Sequence, residues 1–187
     1  MTGLLVAFGA NLPAGESDPT STIQASAADL AQNHPVSIRD FSRIFVTPAW
    51  PPGSGPEFVN AVALIDTELP TPEILPILHR VEAKFGRSRG RRWGPRSLDL
   101  DFLARGQKIL PDKSAMVSWM EAKAENGVIH APDQLILPHP RMHERAFVLG
   151  PAQDVAPCWV HPILGKSISE MFANLPKGDR ESIRPVD

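Results

Sequence analysis

Ser97-Leu98-Asp99-Leu100-Asp101-Phe102-Leu103 decides how this chain is read. Apolar and acidic residues alternate through it, and a period of two marks a β-strand with one buried face. Leu98, Leu100 and Phe102 then turn toward a core. Asp99 and Asp101 share the other face, with Cα atoms ~6.6 Å apart at ~3.3 Å per residue. Asp is disfavoured in strands. Two of them on a rigid strand suit hard, oxygen-seeking cations such as Mg²⁺, including a pair of ions bridged by phosphate oxygens. The plain alternative is a half-exposed strand with acidic residues on its wet side.

Immediately upstream, Arg87, Arg89, Arg91, Arg92 and Arg96 crowd ten residues, with Gly86, Gly90 and Gly94 among them. Clustered arginines repel one another unless an anion is present, and their forked guanidinium groups fit phosphate oxygens. Glycines let a backbone approach a ligand closely. Trp93 offers an indole that can cover an adenine or a ribose. A polyphosphate clamp, a nucleic-acid patch and a merely solvated loop compete here. Adjacency favours the first, because arginines beside paired carboxylates are the parts needed for phosphoryl transfer. No Walker-type glycine-lysine loop is present.

The flanking chain supplies the rest of a fold. Residues 4–8 read as a buried strand ended by Gly9-Ala10-Asn11. Residues 19–32 carry Ile23, Ala27, Leu30 and Ala31 at helical spacing, with Asp18 as N-cap before Pro19. Residues 36–46 and 57–68 read as strands. Residues 47–56, with Pro48, Pro51, Pro52 and Pro56, are a loop. A helix begins near Thr71 and continues through Ile74, Ile77, Leu78, Val81 and Phe85 to a stop at Gly86, with Pro76 predicting a kink or a later start. Residues 111–133 are polar, with a weak helical stretch at 114–123. Residues 135–137 read as a short strand before Pro138-His139-Pro140, and a last helix starts at Ser167. The order, β-α-β-β-α-β with C-terminal additions, predicts an α+β fold with two helices against one antiparallel sheet.

Composition narrows the functions. The 187 residues carry 19 Lys and Arg against 21 Asp and Glu, a net charge of −2 that argues against a globally basic nucleic-acid binder. Twenty prolines are about twice the usual ~5% share, but they are scattered between apolar runs, which predicts a loop-rich folded chain. A single cysteine, Cys158, excludes an intrachain disulfide and a multi-cysteine zinc site. No run approaches the ~20 apolar residues that span a bilayer. The start lacks the pattern of a signal peptide, so a cytoplasmic protein is expected. His139 and His143 are four apart, but Pro140 and the absent HExxH order argue against zinc and favour a phosphate-facing role for His139. Trp50 leads toward Phe58 and Asn60, which share a strand face. An aromatic ring near a carboxamide suits a flat heterocycle with donors and acceptors along its edge.

Together, Arg92-Trp93-Gly94-Pro95-Arg96-Ser97-Leu98-Asp99-Leu100-Asp101 resembles the signature of the 6-hydroxymethyl-7,8-dihydropterin pyrophosphokinase family of folate biosynthesis. Phe8-Gly9-Ala10-Asn11-Leu12, Val46-Thr47-Pro48, Phe58-Val59-Asn60-Ala61, the segment from Glu82 to Arg89, and the segment from Leu137 to Phe147 are similar to its other blocks, in order. The resemblance covers most of residues 4–160. It implies a ferredoxin-like α+β fold and transfer of pyrophosphate from ATP to the pterin hydroxymethyl group, with release of AMP. It implies that Asp99 and Asp101 hold two Mg²⁺ and that Arg87 and Arg96 act on the transferring phosphates. His79, Glu82, Arg89, Trp93, His139 and Arg145 would line the ATP site. Thr47, Pro48, Trp50, Phe58, Asn60 and Phe147 would hold the pterin, the two phenyl rings stacking on its faces. The expected molecule is a single pyrophosphokinase domain over 1–187, a monomer that takes small-molecule substrates and neither nucleic acid nor membrane. Three departures stand out: residues 111–133 form an insertion, some members carry tyrosine where Phe58 stands, and Gln134 replaces a basic residue of some members.

Overall fold

The computed structural model describes residues 3–49, 55–86, 97–122 and 132–186. Its centre is β1 (Leu4–Ala10), whose residues are buried on both faces in most of its length. Beside it lie β4 (Phe58–Asp66) and β5 (Asp99–Arg105), each antiparallel to it. The far side of β4 pairs with β2 (Ser37–Phe41) at one end and β3 (Phe45–Thr47) at the other. A two-residue strand, β6 (Arg184–Pro185), completes a six-stranded sheet in the order β5-β1-β4-β3-β6, with β2 also on β4. This is the expected antiparallel α+β arrangement.

Alternation along the strands sends side chains to two separate cores. Leu4, Val6, Phe8, Ala61, Ala63, Ile65, Leu98, Leu100 and Phe102 pack beneath α1 (Pro19–Asn33) and α2 (Thr71–Lys84), which contribute Ile23, Leu30, Ile74, Leu78 and Val81. Asp18 caps α1 by accepting from Thr20 N at 2.9 Å and Ser21 N at 3.1 Å, with Pro19 opening the helix. Gly86 follows α2 with φ of +81°, the left-handed conformation that ends helices and favours glycine. Two shorter helices follow β5: α3 (Lys113–Glu121), inside the expected insertion, and α4 (Ala146–Val155). The opposite sheet face buries Leu5, Val62 and Leu103 against α4 and α5 (Ile168–Ala173), through Val148, Leu149, Ala152, Ile168 and Met171. A short α6 (Lys177–Glu181) leads into β6.

Four details differ from the sequence reading. The strand expected over 36–46 is two strands, because Ser42 leaves the ladder. Its amide donates to Val62 O and its Oγ accepts from Val62 N, both at 2.9 Å, so a hydroxyl replaces a ladder carbonyl. Pro76 neither delays nor divides the assigned helix, which runs from Thr71. It sits on the exposed face, where water can serve the carbonyl of Pro72 that it cannot bond. The strand expected at 135–137 is a single bridge between Leu137 and Leu110. Finally, α4 was not read from the sequence. Gly150-Pro151 interrupts its pattern, yet Ala146, Leu149 and Ala152 recur at helical spacing and are buried.

Candidate active site

The second face of the sheet is covered by α4 and α5 at one end. At the other it carries polar residues in register. Across β5, β1 and β4, Asp99, Gly9 and Asn60 stand side by side, and Asp101 stands beside Ala7. Asp99 and Asp101 are half-buried, while Leu98, Leu100 and Phe102 point away into the first core. The alternation read from the sequence is therefore what the backbone does.

Gly9 forms the floor between the carboxylates and the amide. A Cβ built on it would lie 3.4 Å from Asn60 Oδ1 and 4.0 Å from Asp99 Cβ, so a larger side chain would fill the strip that joins them. Sequence reasoning took Gly9 only as part of a turn. Its place in the site depends on the register of three strands.

Asn60 and Thr47 make the buried polar wall. Asn60 Nδ2 donates to Thr47 Oγ1 at 2.9 Å, which leaves the amide oxygen to accept. Phe58 lies on the same face two residues before Asn60 and pairs with Thr47 across β3 and β4. Pro48 is exposed just past β3.

The opposing wall comes from the chain between β5 and α4. His139 is placed by its own backbone, whose amide donates to Leu103 O at 2.7 Å. Its Nδ1 accepts from Arg141 N at 3.1 Å, so the neutral ring carries its proton on Nε2. Burial, with the Arg145 charge behind it, pushes this imidazole down to about 3 against the opposing pull of Asp99. His139 is thus an uncharged donor at neutral pH. Arg145 reaches Asp101, Nη1 to Oδ2 at 3.7 Å, and its guanidinium lies 5.6 Å from the centre of the Phe147 ring. Burial also lowers the Arg145 pKa from its usual value. Phe147, in the first turn of α4, is 39% exposed and free to meet a ligand.

Glu82 is buried on α2, where Oε1 accepts from Leu100 N at 2.8 Å. β5 is the edge of the sheet, and this carboxylate serves the backbone between the two aspartates. His79, one turn earlier, is exposed. Arg87, Arg89, Trp93, Arg96 and Trp50 lie outside the described residues.

The structure therefore brings together Thr47, Asn60, Phe58, Asp99, Asp101, His139, Arg145 and Phe147 on or beside one sheet face. The donor set fits a hard cation. Two carboxylates one strand pitch apart are the usual protein share for Mg²⁺, which takes its other ligands from water and phosphate. Among the described residues no cluster of three or more His, Cys, Asp or Glu suits a metal held by protein alone.

Known proteins resemble this chain in sequence and in fold. The chain matches the family model of 7,8-dihydro-6-hydroxymethylpterin-pyrophosphokinase over residues 5–157. It is 31% identical over 184 residues to the 2-amino-4-hydroxy-6-hydroxymethyldihydropteridine pyrophosphokinase of Synechocystis, covering 98% of this chain and 80% of that one. It is 33% identical over 171 residues to the protein of the same name from Pseudomonas aeruginosa, covering 91% and 90%. The crystal structure of wild-type Plasmodium falciparum HPPK-DHPS superposes with a TM-score of 0.61 at 13% identity, over 92% of this chain and 44% of that chain. This chain thus spans under half of that larger protein, and the likeness concerns the fold. By sequence and by fold, the chain belongs to the 7,8-dihydro-6-hydroxymethylpterin-pyrophosphokinase family.

Proposed function

We propose that this chain transfers pyrophosphate from ATP to 6-hydroxymethyl-7,8-dihydropterin, giving the pterin diphosphate and AMP in folate synthesis. The observation that carries the reading is the row Asp99, Gly9, Asn60 across three strands. It sets a carboxylate pair for the phosphates beside an amide wall for a flat, polar-edged ring.

Each part of the face has a task. Asp99 and Asp101 would hold two Mg²⁺, which supply neutralisation of the triphosphate charge when bound. Arg145 keeps Asp101 in place and adds positive charge near the polyphosphate. His139 offers its Nε2 proton to ATP without carrying a charge. Asn60 and Thr47 bond the pterin edge, with Phe58 and Phe147 on its faces. Pro48 and Trp50 would also contact the pterin. Glu82 holds Leu100, and so the strand between the aspartates. His79, Arg89 and Trp93 extend the nucleotide site, and Arg87 and Arg96 meet the transferring phosphates.

The pterin hydroxyl oxygen attacks the β-phosphorus in line. Its bond forms as the bridging α–β oxygen leaves with AMP, and the hydroxyl proton passes to water or phosphate. Asn60, Thr47 and Phe58 offer no base, so positioning and charge stabilisation carry the rate.

The reading is of a monomeric enzyme comprising one domain with an insertion at 111–133. Carboxylates on the open face oppose a nucleic-acid backbone. Among the described residues no helix is long and apolar enough to cross a membrane. Water-soluble substrates support a cytoplasmic site of action. The test is AMP release from ATP with Mg²⁺. AMP formed only when the hydroxymethyl pterin is present is the expected result, and no AMP under those conditions overturns the reading.

A further inference from the structure

We propose that the C-terminal strand, residues 183–186, positions the two walls of the pterin cleft relative to each other. The proposal rests on the pterin site described above, and the residues concerned lie beyond the 5–157 span of the family match.

Three contacts lead to it. First, β6 pairs with β3, Arg184 opposite Val46 and Pro185 opposite Phe45, and Val186 N donates to Ile44 O at 2.7 Å. β3 ends in Thr47, the hydrogen-bond partner of Asn60. Second, Arg184 Nη2 meets Glu57 Oε2 at 2.7 Å, on the residue before Phe58. The tail thereby grips both strands of the polar wall at the end that faces the pterin.

Third, Ile183 sits on α4, the helix of the opposing wall. It packs against the second core, in a notch that exists because residue 150 is glycine. A Cβ on Gly150 would lie 2.2 Å from Ile183 Cδ1 but 3.7 Å from Cγ1, so only the terminal methyl needs the missing side chain. Gly150 lies on α4 three residues after Phe147, and therefore one turn along from the ring proposed to stack on the pterin.

One short segment thus bridges the Phe58 strand and the Phe147 helix. The gap between two stacking rings must match the thickness of a flat heterocycle, and an error of about an ångström is costly to a bound, reacting geometry. A two-residue strand contributes little to the fold by itself. Its place across the cleft explains the notch in α4 better than fold stability does.

Gly150→Ala tests this without weakening the helix, since alanine is a better helix former than glycine. The expected result is a rise of about tenfold in KM for the pterin together with a fall in kcat, with KM for ATP within about twofold of wild type. Gly150→Ala with Ile183→Val removes the clashing methyl and should return the pterin KM to near wild type. A chain ending at Ser182 should match the single variant. An unchanged pterin KM in folded Gly150→Ala, a joint rise in both KM values, or failure of the double variant to restore binding overturns the proposal. If Gly150→Ala does not fold, the chain ending at Ser182 decides by the same two KM values. A wild type that neither binds nor turns over the pterin overturns the activity, and this proposal with it. Turnover by wild type with an unchanged variant overturns the strand's role alone.

Discussion

Leu100 shows how a single residue can fix two others. Its side chain is buried in the first core, its partner across the sheet is Phe8, and its amide is held by Glu82. Asp99 and Asp101 therefore project from a backbone restrained on both edges. Glu82→Gln keeps an acceptor oxygen at the same place and should retain most of kcat. Glu82→Ala should lower kcat by about 10–100-fold, the usual cost of losing a group that orients a ligand-bearing residue, in steady-state assays. Asp99→Asn and Asp101→Asn conserve shape and remove charge. Each should reduce kcat by on the order of 10³ or more with an unchanged circular dichroism spectrum. The aspartates and Asn60 could be found in the sequence because strand alternation and residue chemistry are local, whereas Thr47 is reached only through the family resemblance. The approach of Arg145 to Asp101 could not, since it is made by a turn outside any regular pattern.

At the scale of elements, the helix ends were the most readable features. Asp18, Gly86 and Ser167 all occupy the places their chemistry suggests. Ser167 makes a full capping box, its Oγ accepting from Glu170 N at 3.1 Å while Ser167 N donates to Glu170 Oε2 at 2.7 Å. α4 was hidden because Gly150 and Pro151 are poor helix residues, and only the second core makes their helix worthwhile. β6 was hidden because two residues have no period. Pro76 gives this scale its prediction. Alanine there restores an amide to the exposed face of α2 and should stabilise the protein by up to ~3 kcal/mol, read as a rise in the urea midpoint.

Across the whole molecule, buried imidazoles tie stability to pH. His161 is fully buried beside Trp159, with His143 edge-on at 6.4 Å between ring centres. Its Nδ1 accepts from Ile163 N at 3.2 Å and Leu164 N at 3.3 Å. Burial, then the neighbouring His143, pushes His161 down to about 4, and burial lowers His143 as well. Their folded values lie below the unfolded value near 6.5, so the unfolded chain takes up protons first as pH falls. Stability is full above about pH 6.5 and should decline toward pH 4 by up to roughly 1.4 kcal/mol per unit for His161, with His143 acting in the same direction. His139, pushed down to about 3, adds to the same slope. Urea melts at pH 7.5 and pH 5 measure it, and equal midpoints would contradict it. The second core has a further consequence. Ile168 and Met171, both buried beneath the sheet, lie after the family match ends at residue 157. A chain cut at 157 would bare the apolar side of α4 to solvent, and such a surface recruits other copies of itself. That truncated chain should elute as aggregate and be digested readily by trypsin under conditions that leave the full chain whole. The smallest piece that behaves well in solution is thus longer than the 5–157 stretch that the family match spans.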